Sequence, residues 1–211
     1  MAEHPILFSA PMIRAILEGR KSQTRRVIKP VRGFEQHNIC KPDMAADPWA
    51  VWWHGDITDR VGCLQTCPYG VPGDHLYVRE GVRLCGADDT GAPLSEPPVW
   101  YLADGPCDQR LYPHRRTCRF MPRWASRITL EITDVRVQRV NDITDADAIA
   151  EGCTNGGCVY CGSDEPCGCE TPRPDHRETF VHLWNSINEK RGLGWFANPW
   201  VWAISFKAVK P

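Results

Sequence analysis

The segment that decides the fold reads LEGRKSQTRR over residues 17–26, and it acts together with PGDHLYVRE over residues 72–80. In the first segment a short apolar helix ends at Gly19, because glycine adopts the left-handed backbone angles that terminate many helices. The residues that follow carry most of the chemistry: Lys21, Thr24, Arg25 and Arg26. The second segment predicts a turn and then a strand that ends in Arg79 and Glu80.

A lysine, a threonine and a carboxylate can together form an activated nucleophile. In this interpretation neutral Lys21 takes the proton of Thr24, whose hydroxyl attacks an acyl carbon, and Glu80 orients the lysine or protonates the leaving nitrogen. Burial and the neighbouring arginines would lower the pKa of the lysine. Two alternatives stay open: a solvated turn after a helix, and a pocket that only binds a base through Lys21 and Glu80.

Gly19, Lys21, Thr24 and Arg26 resemble the first motif of the ASCH family, roughly G-x-K-x-x-E-x-R, with threonine replacing the usual glutamate. That replacement is similar to a subgroup of small ASCH amidohydrolases that cleave N4-acylated cytidines. The resemblance implies that Lys21, Thr24 and Glu80 are catalytic, with Gly73-Asp74 and Arg79-Glu80 forming the second motif. We expect the binding residues to be Gly19, Arg25, Arg26, Arg79, Arg123 and Trp124.

The sequence segments 6–11, 121–127 and 198–202 are similar to segments of ASCH-domain proteins from phages and prophages. This resemblance implies a mainly β protein with short α-helices, built on a PUA-like β-barrel. It predicts one domain over residues 1–211, with insertions near 30–65 and 153–175. It also implies a cytoplasmic location in a bacterial or phage-infected cell.

Composition limits the functional classes. The net charge of −1 excludes nucleic-acid binding driven by overall charge, so such binding needs a local basic patch. The first residues lack the basic-then-apolar design of a signal peptide, and no apolar run approaches the roughly 18 residues of a membrane span. We therefore expect a soluble intracellular protein without a membrane partner.

Periodicity predicts strands at 5–8, 26–29, 76–84, 99–103, 127–140 and 200–209, with a bulge at Thr133-Asp134. It predicts helices after Pro11, from Thr144 to Glu151, and after Asp175. Residues 30–71 are predicted to be rich in loops. This order favours a small barrel with peripheral helices over a doubly wound sheet.

A second basic stretch runs from residue 114 to 127 and contains Tyr112, Phe120 and Trp124 among or beside its arginines. Arginines interleaved with aromatic rings can contact phosphates and stack bases of a single strand. The alternative is a basic loop that enters a strand, with Trp124 in the core. The residues favour neither interpretation over the other.

Of eleven cysteines, five fall between residues 153 and 169: Cys153, Cys158, Cys161, Cys167 and Cys169. The C-x-x-C spacing at 158–161 is typical of zinc sites, so we predict one structural zinc held by four of the five thiolates. His176 is a possible substitute ligand. Cys63 and Cys67, with Cys40, lack an evident fourth ligand and are interpreted as free thiols.

The sequence therefore predicts recognition of a nucleoside or single-stranded nucleic acid such as RNA, with hydrolysis of an N4-acylated cytidine amide as the chemical hypothesis. Two alternatives remain: a reader of RNA or modified DNA without catalysis, and a phage accessory or assembly protein. The base, the sugar and the polymer are not specified.

Overall fold

The computed structural model describes residues 1–31, 39–40, 49–54, 62–85, 98–154 and 175–209. Within them the fold is mainly β with a few short helices, as the sequence predicts. The strands are β1 (Glu3–Leu7), β2 (Gln23–Val27), β3 (Ile39–Cys40), β4 (Ala50–His54), β5 (Gly62–Thr66), β6 (His75–Arg79), β7 (Val82–Leu84), β8 (Val99–Tyr101), β9 (His114–Arg116), β10 (Thr129–Arg139) and β11 (Trp200–Val209). The α-helices are α1 (Ala10–Leu17), α2 (Asp145–Ala150) and α3 (His176–Asn188).

The central sheet has five strands in the order β1-β6-β10-β11-β2. Strand β1 pairs in parallel with β6, and the other neighbours are antiparallel. Strands β1 and β2 form its two edges, and within the described residues no ladder joins them. The structure thus shows a mainly β fold, but not the closed barrel that the resemblance implies.

The longest strands of this sheet are the antiparallel neighbours β10 and β11, which are separated by α2 and α3 in the chain. Their register shifts between Ile132 and Asp134, which confirms the predicted bulge. Leu130 and Ile132 of β10 pack in one fully buried core with Trp202 and Ile204 of β11. The alternating apolar pattern of both strands follows from this burial, since successive side chains point to opposite faces.

Helix α1 ends as predicted. Gly19 has a φ of 74°, and the N–H groups of Arg20 and Lys21 both donate to the carbonyl of Ala15. The next strand begins at Gln23, three residues earlier than the predicted start at Arg26. Thr24 therefore lies in a buried strand and not in a solvated turn, because pairing with β11 extends β2 toward the helix.

Two smaller sheets flank the central one. Strands β3, β4 and β5 form an antiparallel sheet within the segment predicted to be rich in loops. There Val51 and Trp53 are buried while Trp52 is exposed, an alternation too short to stand out in the sequence. Strands β8, β7 and β9 form the third sheet. The predicted strand over 76–84 is divided between β6 and β7 at Glu80 and Gly81.

Helices α2 and α3 pack on each other beside the β2–β11 end of the central sheet. Thr144, at which the sequence predicts the start of this helix, caps α2 through a capping box with Asp147. Phe180 and Trp184 of α3 pack with Val140 and Val201 in one buried cluster. Within the described part of the chain, no helix has both the length and the apolar character needed to cross a membrane.

Candidate functional site

A cavity of about 540 Å³ lies between strand β2 and helix α3. Its lining combines cationic, aromatic and aliphatic side chains with a single carboxylate. The lining residues are Met12, Thr24, Arg25, Arg26, Val27, Lys29, Tyr69, Arg119, Glu151, Phe180, Leu183, Trp184, Ile187, Asn188 and Arg191. Thr24, which the resemblance implies to be catalytic, and Arg25 and Arg26, which are expected to bind, thus border one space.

The position of the cavity relative to β2 follows from its lining. Thr24 to Val27 are four consecutive residues of one strand, and all four border the cavity. Side chains of successive strand residues point to opposite faces of a sheet. Four in a row can border one space only along the edge of the strand, and β2 is an edge strand.

Lys21 is not among the lining residues, and its side chain is fully buried beside Glu151, which does line the cavity. Its Nζ donates to the carbonyls of Gln23 at 2.7 Å and Glu151 at 2.8 Å, and to Glu151 Oε2 at 2.7 Å. These three acceptors use all the protons of an ammonium group. Burial lowers the pKa of Lys21, and the Glu151 carboxylate opposes that shift.

Arg25 extends this buried network from the lysine to helix α2. Its Nη1 donates to Gln23 Oε1 at 2.6 Å and to Glu151 Oε1 at 3.2 Å, and its Nη2 lies 3.0 Å from Asp147 Oδ2. Burial raises the pKa of Asp147, but a hydrogen bond from Arg136, the charge of Arg25 and further hydrogen bonds outweigh this and bring it to about 2. The network therefore places Glu151 between Lys21 and Arg25, and Asp147 between Arg25 and Arg136.

The cavity itself carries positive charge that the network does not neutralise. Arg26 donates to the carbonyl of Leu7 at 2.6 Å and lies over the ring of Phe8. No carboxylate among the described residues is within salt-bridge distance of Arg26, and burial lowers its pKa. The other cationic lining residues, Lys29, Arg119 and Arg191, are exposed at the rim.

Glu80, the predicted partner of Lys21, lies in a different cluster. Its Oε1 accepts from Arg127 Nε at 2.9 Å and its Oε2 from Nη2 at 3.2 Å, while the same guanidinium binds Asp104. Burial raises the pKa of Glu80, and the hydrogen bonds from Arg127 oppose that shift. Lys21 bonds to Glu151 and not to Glu80, so the expected contact between Lys21 and Glu80 is absent from the described hydrogen bonds.

The remaining predicted binding residues lie outside the cavity lining. Gly19 terminates α1, and Arg79 donates from Nη2 to the carbonyl of Arg119. Arg123 pairs with Glu3 at 2.8 Å on the surface. Trp124 is 42% exposed on a single 3₁₀ turn, so the alternative that placed it in the core is wrong.

Of the predicted zinc ligands, only Cys153 lies within the described residues. Its side chain is buried in the cluster with Phe180 and Trp184, and this burial raises the pKa of its thiol to about 12. Cys158, Cys161, Cys167 and Cys169 fall outside the described residues. Across the described ranges, no three His, Cys, Asp or Glu side chains are arranged to hold a metal. Cys63 and Cys67 are free thiols, and burial raises the pKa of Cys67 to about 11.

The sequence interpretation missed two parts of the site. The sequence predicts Glu151 only as the last residue of a helix. Its carboxylate accepts a hydrogen bond from Lys21, which lies 130 positions earlier in the chain. The helix predicted after Asp175 carries Phe180, Leu183 and Trp184 as an apolar stripe, and that stripe also forms a wall of the cavity. Helical spacing can identify such a stripe, but it cannot show which part of it borders a cavity.

No protein-family model matches the chain. No curated protein matches it either. One similar solved structure is a protein of Enterococcus faecalis V583 from family DUF984, with 10% identity over 99% of this chain and 81% of that chain, and a TM-score of 0.38. Another is the ASCH domain from Lactobacillus crispatus JV V101, with 11% identity over 98% and 79% and a TM-score of 0.36. Structural similarity at these values gives no information about ligands. The resemblance to phage and prophage proteins and to the N4-acylcytidine amidohydrolases therefore stays a prediction.

Proposed function

We propose that the cavity between β2 and α3 binds a nucleoside or nucleotide, either free or within a single-stranded nucleic acid. The observation that supports this best is the lining, in which the buried aromatic wall of α3 faces a rim of cations that pair with no carboxylate among the described residues. A planar base suits an apolar wall, and a phosphate suits arginine and lysine at the rim. The volume of about 540 Å³ is sufficient for one nucleotide.

The charge distribution supports an anionic ligand in particular. The protein as a whole has a net charge of −1, so general attraction to nucleic acid is weak. Lys29, Arg119 and Arg191 bring positive charge to the opening of one cavity. Binding of a phosphate there should weaken as salt concentration rises, because the contacts are exposed and screened.

Titration with cytidine and cytidine 5′-monophosphate, followed by calorimetry, tests this proposal. We expect the monophosphate to bind more tightly than the nucleoside, and Arg191→Ala to remove most of that difference. Lys190→Ala is the matched control, since Lys190 is exposed beside Arg191 but does not line the cavity. The proposal would be contradicted if neither ligand binds at low salt. It would also be contradicted if the two substitutions have equal effects on binding.

A second candidate is amide hydrolysis in the same cavity, with Glu151 in the role that the sequence assigned to Glu80. Thr24 and Glu151 both line the cavity, and the Thr24 hydroxyl makes no hydrogen bond within the described residues. Its oxygen would attack the acyl carbon while its proton passes to the Lys21–Glu151 pair and then to the departing amine. Water would hydrolyse the resulting ester and restore the hydroxyl.

Release of acetate from N4-acetylcytidine tests this candidate. We expect Thr24→Ala and Glu151→Gln each to lose most of the activity, because removing either residue disables the whole catalytic unit. Glu80→Gln is the matched control, because Glu80 is equally buried but pairs with Arg127. Binding of N4-acetylcytidine without acetate release leaves the reader function and rejects hydrolysis.

We also propose that a structural zinc is bound by Cys158, Cys161, Cys167 and Cys169, with Cys153 as the spare thiol. The burial of Cys153 among Phe180 and Trp184 supports this choice, because a side chain in that cluster contributes to the packing of α3. The C-x-x-C spacing supports the remaining set. A closed four-thiolate site would stabilise its loop and leave no open position for catalysis.

A further inference from the structure

The free edge of strand β2 has an ordered pattern of main-chain groups. Phe206 N donates to Ser22 O at 2.8 Å, and Ile28 N donates to Trp200 O at 2.9 Å. In an antiparallel pair, hydrogen-bonded residues alternate with residues whose N–H and C=O groups point away from the partner strand. The even-numbered residues of β2 therefore bond to β11, and Gln23, Arg25 and Val27 direct their main-chain groups to the free edge.

Part of this edge is already occupied within the protein. The carbonyl of Gln23 accepts from Lys21 Nζ at 2.7 Å, so the lysine takes the place of a neighbouring strand there. Among the described residues, no hydrogen bond reaches the main-chain N–H or C=O groups of Arg25 and Val27. Both residues border the cavity. Two donors and two acceptors in alternation are thus available along the cavity wall.

We infer that the main-chain groups of Arg25 and Val27 read the Watson–Crick edge of the bound base. The inference rests on the proposed function of the cavity and specifies how that site recognises its ligand. A base presents donors and acceptors in one plane along this edge, which matches the alternating groups of an extended strand. Because duplex pairing uses the same edge, the site selects an unpaired base.

The dimensions favour a base over an added peptide strand. The available edge comprises two residues and spans roughly 7 Å at about 3.3 Å per residue, shorter than an ordinary strand. Lys21 occupies the edge on one side, and Pro30 follows Lys29 on the other. The cationic rim also suits the phosphate of a nucleotide better than a neutral peptide.

Modified nucleotides test the inference on the ligand. N4,N4-dimethylcytidine 5′-monophosphate loses the amine donor of the Watson–Crick edge, whereas 5-methylcytidine 5′-monophosphate carries its methyl group elsewhere and is the control. We expect the dimethyl compound to bind about tenfold more weakly or worse, and the control to stay within about threefold of the unmodified nucleotide. Equal binding of all three would overturn the inference and leave the proposed nucleotide site standing, whereas failure of all three to bind would overturn both.

Val27→Pro tests the inference on the protein, because proline removes the N–H that faces the cavity. This N–H is not part of the ladder with β11, and proline is tolerated on edge strands at such positions. Val27→Ala, which keeps the N–H, is the matched control. We expect cytidine 5′-monophosphate to bind Val27→Pro about tenfold more weakly than Val27→Ala. Equal affinities would overturn the inference, and if Val27→Pro does not fold by circular dichroism, the nucleotide comparison decides alone.

Discussion

Replacing Lys21 by methionine should destabilise the protein strongly, because the ammonium group joins three buried acceptors. Methionine keeps the aliphatic stem but leaves Glu151 as a buried carboxylate whose remaining cation is Arg25 at 3.2 Å. Removing one partner of a buried ion pair typically costs about 3–5 kcal/mol. For a chain of this size that corresponds to a fall in Tm of roughly 6–20 °C.

Urea denaturation followed by tryptophan fluorescence measures this loss. Arg20→Ala is the matched control, since Arg20 is adjacent in sequence but forms its ion pair with Glu18 on the surface. We expect the control to cost less than about 1 kcal/mol, as exposed pairs usually do. The double variant Lys21→Met/Glu151→Gln should lose less stability than the sum of the single variants, because it removes the unpaired charge.

A Lys21→Met protein as stable as the Arg20→Ala control would contradict the buried ion pair of Lys21 with Glu151. Strict additivity in the double variant would also refute it, since the pair would then have no coupling energy. Either result would mean that Lys21 is not held by Glu151 in solution. A lysine released from this pair would again be available for the contact with Glu80 that the sequence predicts.

Three further perturbations test other parts of the structure. The pKa of Asp147 is about 2 in the folded protein, below the ordinary 3.8, so ionised Asp147 stabilises the fold above pH 4 and this contribution is lost as the pH falls through 2. Asp147→Asn should remove this part of the pH dependence of acid denaturation. Gly152 has a φ of 90°, and an added Cβ would lie 3.2 Å from Lys21 Cβ, so Gly152→Ala should lower the free energy of unfolding by about 1–3 kcal/mol, and an unchanged value would contradict the observed backbone. Elemental analysis of protein purified without added metal should find about one zinc per chain and less in Cys161→Ser, and its absence would reject the zinc site.

Local patterns in the sequence were sufficient to predict much of the fold. The end of α1 at Gly19 and the bulge after Ile132 were predicted because they depend on nearby residues and on simple alternation. The start of β2 was predicted three residues too late. Pairing with β11, which lies about 180 positions later in the chain, extends the strand to Gln23. The sheet of β3 to β5 was missed, since its strands are short and alternate only briefly.

The candidate site was predicted less completely than the fold. Lys21, Thr24, Arg25 and Arg26 were identified from one segment, and the last three border the cavity. Lys21 contacts Glu151 instead of the expected Glu80, because the end of α2 folds onto the segment after α1, and a single sequence does not reveal this. Glu151 is the residue that this long-range contact supplies.

A crystal structure of the protein soaked with cytidine 5′-monophosphate shows directly whether the cavity between β2 and α3 binds the nucleotide. We predict density in the cavity between β2 and α3, with the base against the edge of β2 and the phosphate near Lys29 or Arg191. Density against the exposed rings of Phe120 and Trp124, with the cavity empty, would contradict nucleotide binding between β2 and α3.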